Sequence, residues 1–214
     1  MTPAPTPAPD LGGSLRGEDP ELAVWTVDPS HASVTFAVRH LGLSTVRGSF
    51  GQVTGELDLD PADATKARGT VRIDIGSIDT RDDKRDAHLR SPDFFHAEQH
   101  PEMVFEVTSV TPKKGDAYRV AGNLTIRGVT RPVELEAEAT EPTRDPWGNE
   151  RIGVTLTGKL NREDWGLTWN MVLEAGRLVV GKDVKIEIDA ELVKASEQEA
   201  ELVGEAETKA AATS

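Results

Sequence analysis

Five histidines, 37 acidic residues and no cysteine set out the chemistry available to this 214-residue chain. Without cysteine there is no disulfide, no thiolate nucleophile and no Cys-ligated zinc. His96 and His100 stand four apart, a spacing that puts both on one face of a continuous helix. Pro101 interrupts that geometry, and no HExxH motif occurs, so no metal site is expected. Ser30 and His31 are sequence neighbours in "DPSH" and form no recognisable triad; no GxSxG is present. No catalytic residue is assigned on these grounds, and no cofactor is expected.

His40 stands apart because it extends the parity of Val34, Phe36 and Val38. Two readings fit it: a core-edge histidine bonded to backbone, or a polar anchor at the mouth of a cavity. Lys182 shares parity with Val180 and Val184, but Gly181 beside it can swing it outward. Trp165 and Trp169 lie with Leu167, Met171, Val172 and Leu173 in a stretch of no clean period, which either lines an opening or fills the core.

The elements that would position these residues are strands. Val71, Ile73 and Ile75 alternate with polar neighbours, as do Val133, Leu135, Ala137 and Ala139. Further series run through Ile152, Val154, Leu156, Gly158 and Leu160, and through Val184, Ile186, Ile188, Ala190 and Leu192. Period 2 gives each one wet and one dry face. Turn signals at Asp60-Pro61, Gly115, Gly128, Gly148 and Gly181 separate roughly eight strands. That number suits a closed barrel around one ligand, with a two-sheet sandwich as the alternative. Gly42, Gly48, Gly51 and Gly55 within one strand-like stretch suggest the bends that curve a sheet.

"RDDKRDAHLRSPDFFHAEQHP", Arg81 to Pro101, breaks the alternation. Thr80 serves as N-cap in this reading, with Asp82 and Asp83 in the first turn of a helix ending near Arg90. The charges describe a solvated surface, whereas Leu89, Phe94 and Phe95 must pack onto something apolar, an open barrel end being the candidate. The termini differ again. Residues 1–22 form a Pro/Ala-rich arm expected to be disordered, 23–194 the barrel, and 195–214 an Ala/Glu-rich tail with Leu202 and Val203 too few for a stripe. The opening residues have no basic start and no apolar run, so a cytoplasmic location is expected. A net charge of −13 disfavours nucleic acid and anionic surfaces at long range. No apolar run is long enough to span a bilayer.

Four segments, "WTVDPSHASVTFAVRHLGLSTVRGSF", "IDTRDDKRDAHLRSPDFFHAEQHPEMVFE", "VAGNLTIRGVTRPVELE" and "LNREDWGLTWN", resemble the YceI-like family in order and content, over roughly residues 24–193. The resemblance implies an extended, lipocalin-like antiparallel β-barrel with a helical excursion and a long apolar tunnel. Family members hold polyisoprenoids such as polyprenyl phosphates or isoprenoid quinones, and some hold other long-chain lipids. Many carry a leader where this chain has its arm. The expected ligand-binding residues are Phe36, Val38, His40, Phe50, Leu89, Phe94, Phe95, Phe105, Leu124, Ile126, Leu156, Leu160, Trp165, Trp169 and Met171. Head-group candidates are His40, Arg39, Arg85 and His88.

The expected function is non-enzymatic lipid binding for storage, transport or protection. One alternative is an enzyme acting on an isoprenoid quinone, with His40 as acid or base. Another is a stress-related interaction protein whose core is full. A free strand edge would allow a homodimer.

Overall fold

The computed structural model describes residues 22–172 and 178–196. The N-terminal arm, Leu173 and most of the C-terminal tail, with Leu202 and Val203, lie outside the described residues.

Among the described residues eleven strands follow in chain order: β1 (Ala23–His40), β2 (Ser44–Phe50), β3 (Val53–Leu59), β4 (Arg68–Asp74), β5 (Ile78–Asp79), β6 (Glu102–Pro112), β7 (Ala117–Ile126), β8 (Val129–Ala139), β9 (Thr143–Arg144), β10 (Glu150–Asn161) and β11 (Val180–Lys194). The path β1-β3-β4-β6-β7-β8-β10-β11 is antiparallel throughout, and β11 pairs back onto β1. This is a closed eight-stranded barrel, not a sandwich. β2 and β5 extend two of its staves, Ser49 pairing with Asp79, and β9 pairs with β10. The seam between β8 and β10 is paired over four residues, Val154–Thr157 against Glu136–Ala139.

Irregularities in register decide which parity faces inward. Val27 pairs with Leu192 but Ala32 with Ala190, so residues 28–31 bulge out of β1. The inward face accordingly changes from odd Trp25 and Val27 to even Val34, Phe36 and Val38. A second bulge in β6, between Val107 and Ser109, moves the inward position from Val107 to Val110. A third irregularity separates Val38, paired with Val184, from His40, paired with Val180. It falls at Gly181–Asp183, which turns Lys182 out to meet Glu163 at 2.7 Å.

The insertion is helical over Asp83–Arg90 (α1), but its N-cap is Asp82, whose side chain accepts from the Lys84 and Arg85 amides. Thr80, read from sequence as the cap, is instead 3 % exposed, and Asp86 is 6 % exposed. The Asp86 carboxylate accepts from the Thr80 amide at 3.0 Å and from its hydroxyl at 2.5 Å. Arg85 donates to the Thr80 hydroxyl and carbonyl, both at 2.7 Å. Arg90 donates to the carbonyls of Gly76 and Ile78. Three of the charges read as a wet surface therefore bolt α1 to the barrel rim. Buried charged groups require such partners.

Candidate functional site

An apolar cavity of ≈ 350 Å³ occupies the barrel interior, within the size range of small-molecule sites. Every stave contributes to it. Val34, Phe36 and Val38 come from β1, Phe50 from β2, Val53 and Leu57 from β3, and Val71 and Ile73 from β4. Met103 and Phe105 belong to β6, Val120, Leu124 and Ile126 to β7, Val133, Leu135 and Ala137 to β8, Leu156 and Leu160 to β10, and Ile186 and Ile188 to β11. Two inward glycines keep the bore clear. A Cβ on Gly158 would lie 2.5 Å from Leu135 Cδ2, and one on Gly122 would lie 2.5 Å from the Phe105 ring. Leu135 and Phe105 occupy the space that a side chain at those positions would fill.

One end of the bore is shut by the insertion and by a short 3-10 turn, Arg162–Trp165. Leu89, Phe94 and Phe95 line the cavity there. Phe95 meets Phe50 edge-on with ring centroids 5.9 Å apart, and Phe50 meets Phe36 at 5.6 Å. Arg127, in the two-residue turn between β7 and β8, donates to the Phe94 carbonyl at 2.9 Å. Arg127 and Gly128 both have positive φ, which a tight hairpin turn of this hand requires. Trp165 is 2 % exposed and donates its indole N–H to the Leu124 carbonyl at 2.9 Å.

The polar side chains in the lining fall at opposite ends. Arg162 is 6 % exposed at the shut end. It donates to the carbonyls of Gly181 at 2.9 Å and of Leu167, with a longer bond to that of Val180. Among the described residues no carboxylate pairs with it, and burial lowers its pKa below the ordinary arginine value, with Glu163 opposing. At the far end Asp116, Glu138, Thr140 and Glu141 join Tyr118 in the lining, and the three carboxylates are exposed. The bore is thus apolar along its length, cationic at the shut end and acidic at the other.

Most residues expected to contact a ligand do line this cavity: Phe36, Val38, Phe50, Leu89, Phe94, Phe95, Phe105, Leu124, Ile126, Leu156, Leu160 and Trp165. His40, Trp169 and Met171 do not. Trp169 packs outside, its ring 4.6 Å from His88 and 5.3 Å from Phe94. Met171 is 54 % exposed. Of the head-group candidates, Arg85 is committed to Thr80, and His88 lies 3.1 Å from Asp93 through Nε2. Arg39 is exposed and donates to the Gly42 carbonyl and the Thr45 hydroxyl. None of the four lines the cavity. The buried cation that does, Arg162, was missed although it continues the even parity of Ile152 to Leu160. Its place in the "NRED" run made it look like part of a turn.

Asp28, His31 and Glu191 have ligand atoms close enough to hold a metal ion. Arg151 already sits among the carboxylates, 2.7 Å from Asp28, 2.8 Å from Asp145 and 2.8 Å from Glu191.

Comparison with known proteins gives the same architecture. The model of the YceI-like domain matches residues 25–192. A UPF0312 protein of Staphylococcus aureus strain N315 is 38 % identical over 168 residues, covering 78 % of this chain and 95 % of that protein. Among solved structures, the Campylobacter jejuni YCEI protein has a TM-score of 0.64 at 31 % identity, over 74 % of this chain and 90 % of its own. Burkholderia cenocepacia BcnA has a TM-score of 0.68 at 20 % identity, over 77 % and 98 %. A polyisoprenoid binding domain from Saccharophagus degradans has a TM-score of 0.60 at 15 % identity, over 81 % and 99 %. The last two likenesses concern the fold alone.

Proposed function

The chain belongs to the YceI-like domain family, and from that premise we propose that it binds a long apolar lipid, a polyisoprenoid, in the barrel bore without transforming it. The observation that carries this reading is the lining: side chains from all eight staves face the bore, and its polar groups are confined to the two ends. Burying a methylene there is worth about 0.8 kcal/mol, so several isoprene units bind without polar contacts along the chain. That the neighbour from Saccharophagus degradans is described as a polyisoprenoid binding domain supports the choice of ligand class. A core filled by its own side chains would leave no such space.

The head group belongs at Arg162. Its guanidinium has five N–H donors, and the three carbonyls do not use them all. A phosphate oxygen or a quinone carbonyl would accept from the N–H groups left over, and an anion at the opposite end would face Asp116, Glu138 and Glu141. His40, on which the catalytic alternative rested, is outside the lining. Storage, transport and protection of the lipid are all compatible with a closed apolar bore.

The test is uptake by lipid-stripped protein. One equivalent of a prenyl quinone per chain is expected, with affinity rising as isoprene units are added up to the length of the bore. Affinity independent of chain length would remove the reading.

A further inference from the structure

The shut end of the barrel carries a surface that the bore does not explain. The β1–β2 turn and the strand-flanking loop before β11 meet there, the Leu41 amide donating to the Val179 carbonyl at 2.9 Å. Val172 and Leu178 form a bridge, and the Val179 amide donates to the Met171 carbonyl at 3.1 Å. These joined loops hold four of the five exposed large apolar residues among the described ones: Leu43 at 74 %, Val172 at 71 %, Met171 at 54 % and Leu178 at 37 %. Solitary exposed apolar side chains are ordinary, but four on two joined loops mark an interaction site.

Behind this apolar tip lies a collar of cations. Register places Arg47 opposite Ala37, Ala37 opposite Lys185, and Lys185 opposite Lys159, so three cations occupy one rung across β2, β1, β11 and β10. All three are exposed. Arg39 stands two residues closer to the tip on β1, and Lys182 occupies the bulge of β11. Among the described residues the carboxylates nearby are Asp183, 2.7 Å from Lys159, Glu163, 2.7 Å from Lys182, and Asp164 beside it, with Asp79 and Glu187 one rung farther from the tip. Among the described residues at this level, five cations against three anions leave a positive collar on a chain whose net charge is −13.

We propose that this tip is a docking surface for an anionic lipid bilayer, with Leu43, Met171, Val172 and Leu178 entering the acyl boundary and the collar at phosphate level. Apolar side chains ahead of basic ones is the arrangement that interfacial binding requires. Charge complementarity selects the bilayer over a second copy of the chain, whose own collar would repel. The surface adjoins the end of the bore at which Arg162, Phe94 and Phe95 lie, so a docked molecule presents that end to the membrane. Docking itself rests on surface side chains and does not depend on what the bore holds.

Co-sedimentation of the full chain with vesicles tests it. Binding is expected to phosphatidylcholine vesicles containing about one-third phosphatidylglycerol, and not to phosphatidylcholine alone, weakening as salt is raised. The exposed double substitution Leu43→Asp with Val172→Asp should lower affinity about tenfold or more. Arg47→Glu and Lys185→Glu should each lower it about fivefold or more, while Arg119→Glu at the opposite end changes nothing. Absence of wild-type binding to the anionic vesicles would overturn the proposal, as would unchanged binding by the double variant. So would a self-associating chain that Leu43→Asp renders monomeric and that ignores vesicles. Any of these results would leave lipid uptake by the bore, measured separately, as it stands.

Discussion

Arg162 holds a charge inside the barrel wall with carbonyls, not carboxylates, as partners. Removing the guanidinium strips a donor from each carbonyl, at about 1–3 kcal/mol for every group left buried and unbonded. Arg162→Met is therefore expected to lower urea stability by at least that much. It should also erase any preference for a polyprenyl phosphate over the uncharged polyprenol of equal length; a preference that survives would place the head group elsewhere. Gly158 provides a complementary test of the bore. Gly158→Val sets a side chain against Leu135 Cδ2, which can yield only by swinging inward. The expected outcome is a folded protein, destabilised by about 1–3 kcal/mol, that takes up shorter chains than the wild type. Calorimetry against an isoprenoid length series reads this directly. At this scale eight lining residues, Phe36, Val38, Phe50, Phe105, Leu124, Ile126, Leu156 and Leu160, were legible on strands, because strand alternation is a local property. It failed where a bulge reset the parity: the irregularity between Val27 and Ala32 hides the inward role of Trp25 and Val27, while His40 keeps the parity of Val38 but stands at the strand end, outside the lining.

The insertion shows a different boundary of what is legible. Its helix, its stop at Ser91-Pro92 and its apolar Phe-Phe step could be read from caps and composition, since these too are local. The burial of Thr80 and Asp86 could not. It depends on β5 lying against α1, and a charged residue one turn into a helix otherwise reads as solvent-facing. The rings of Phe94 and Phe95 meet the bore while Asp83 is exposed. Phe95→Ser should accordingly shorten the residence time of a bound lipid well beyond the effect of Asp83→Ser, measured by transfer to acceptor vesicles. Equal effects of the two substitutions would mean that the insertion does not retain the ligand.

Across the whole molecule, closure of the barrel brings together groups far apart in sequence. Arg151 on β10 joins Asp28 from the β1 bulge, Asp145 from the turn before β10, and Glu191 on β11. No spacing rule reveals such a set, because register between strands creates it. Hydrogen bonds from Ser30, Arg151 and His31 hold the Asp28 carboxyl well below its ordinary value of 3.8. Arg151, with Asn149 and the Trp147 amide, does the same for Asp145. The folded values are the lower ones, so this contribution is complete above pH about 4 and declines as pH falls through the folded values. Arg151→Met should reduce that part of the acid dependence, most at Asp145, where Arg151 is the largest cause, seen as a flatter plot of urea midpoint against pH below 4. An unchanged slope would assign the acid sensitivity to other carboxylates. The two-ended polarity of the bore is also a product of closure, and it underlies the account of function. Organic extraction of protein purified under native conditions, followed by mass spectrometry, tests that account most directly. A polyisoprenoid species near one equivalent per chain is the predicted result; an extract free of long-chain lipid, from protein that also fails to take up a prenyl quinone, would contradict it.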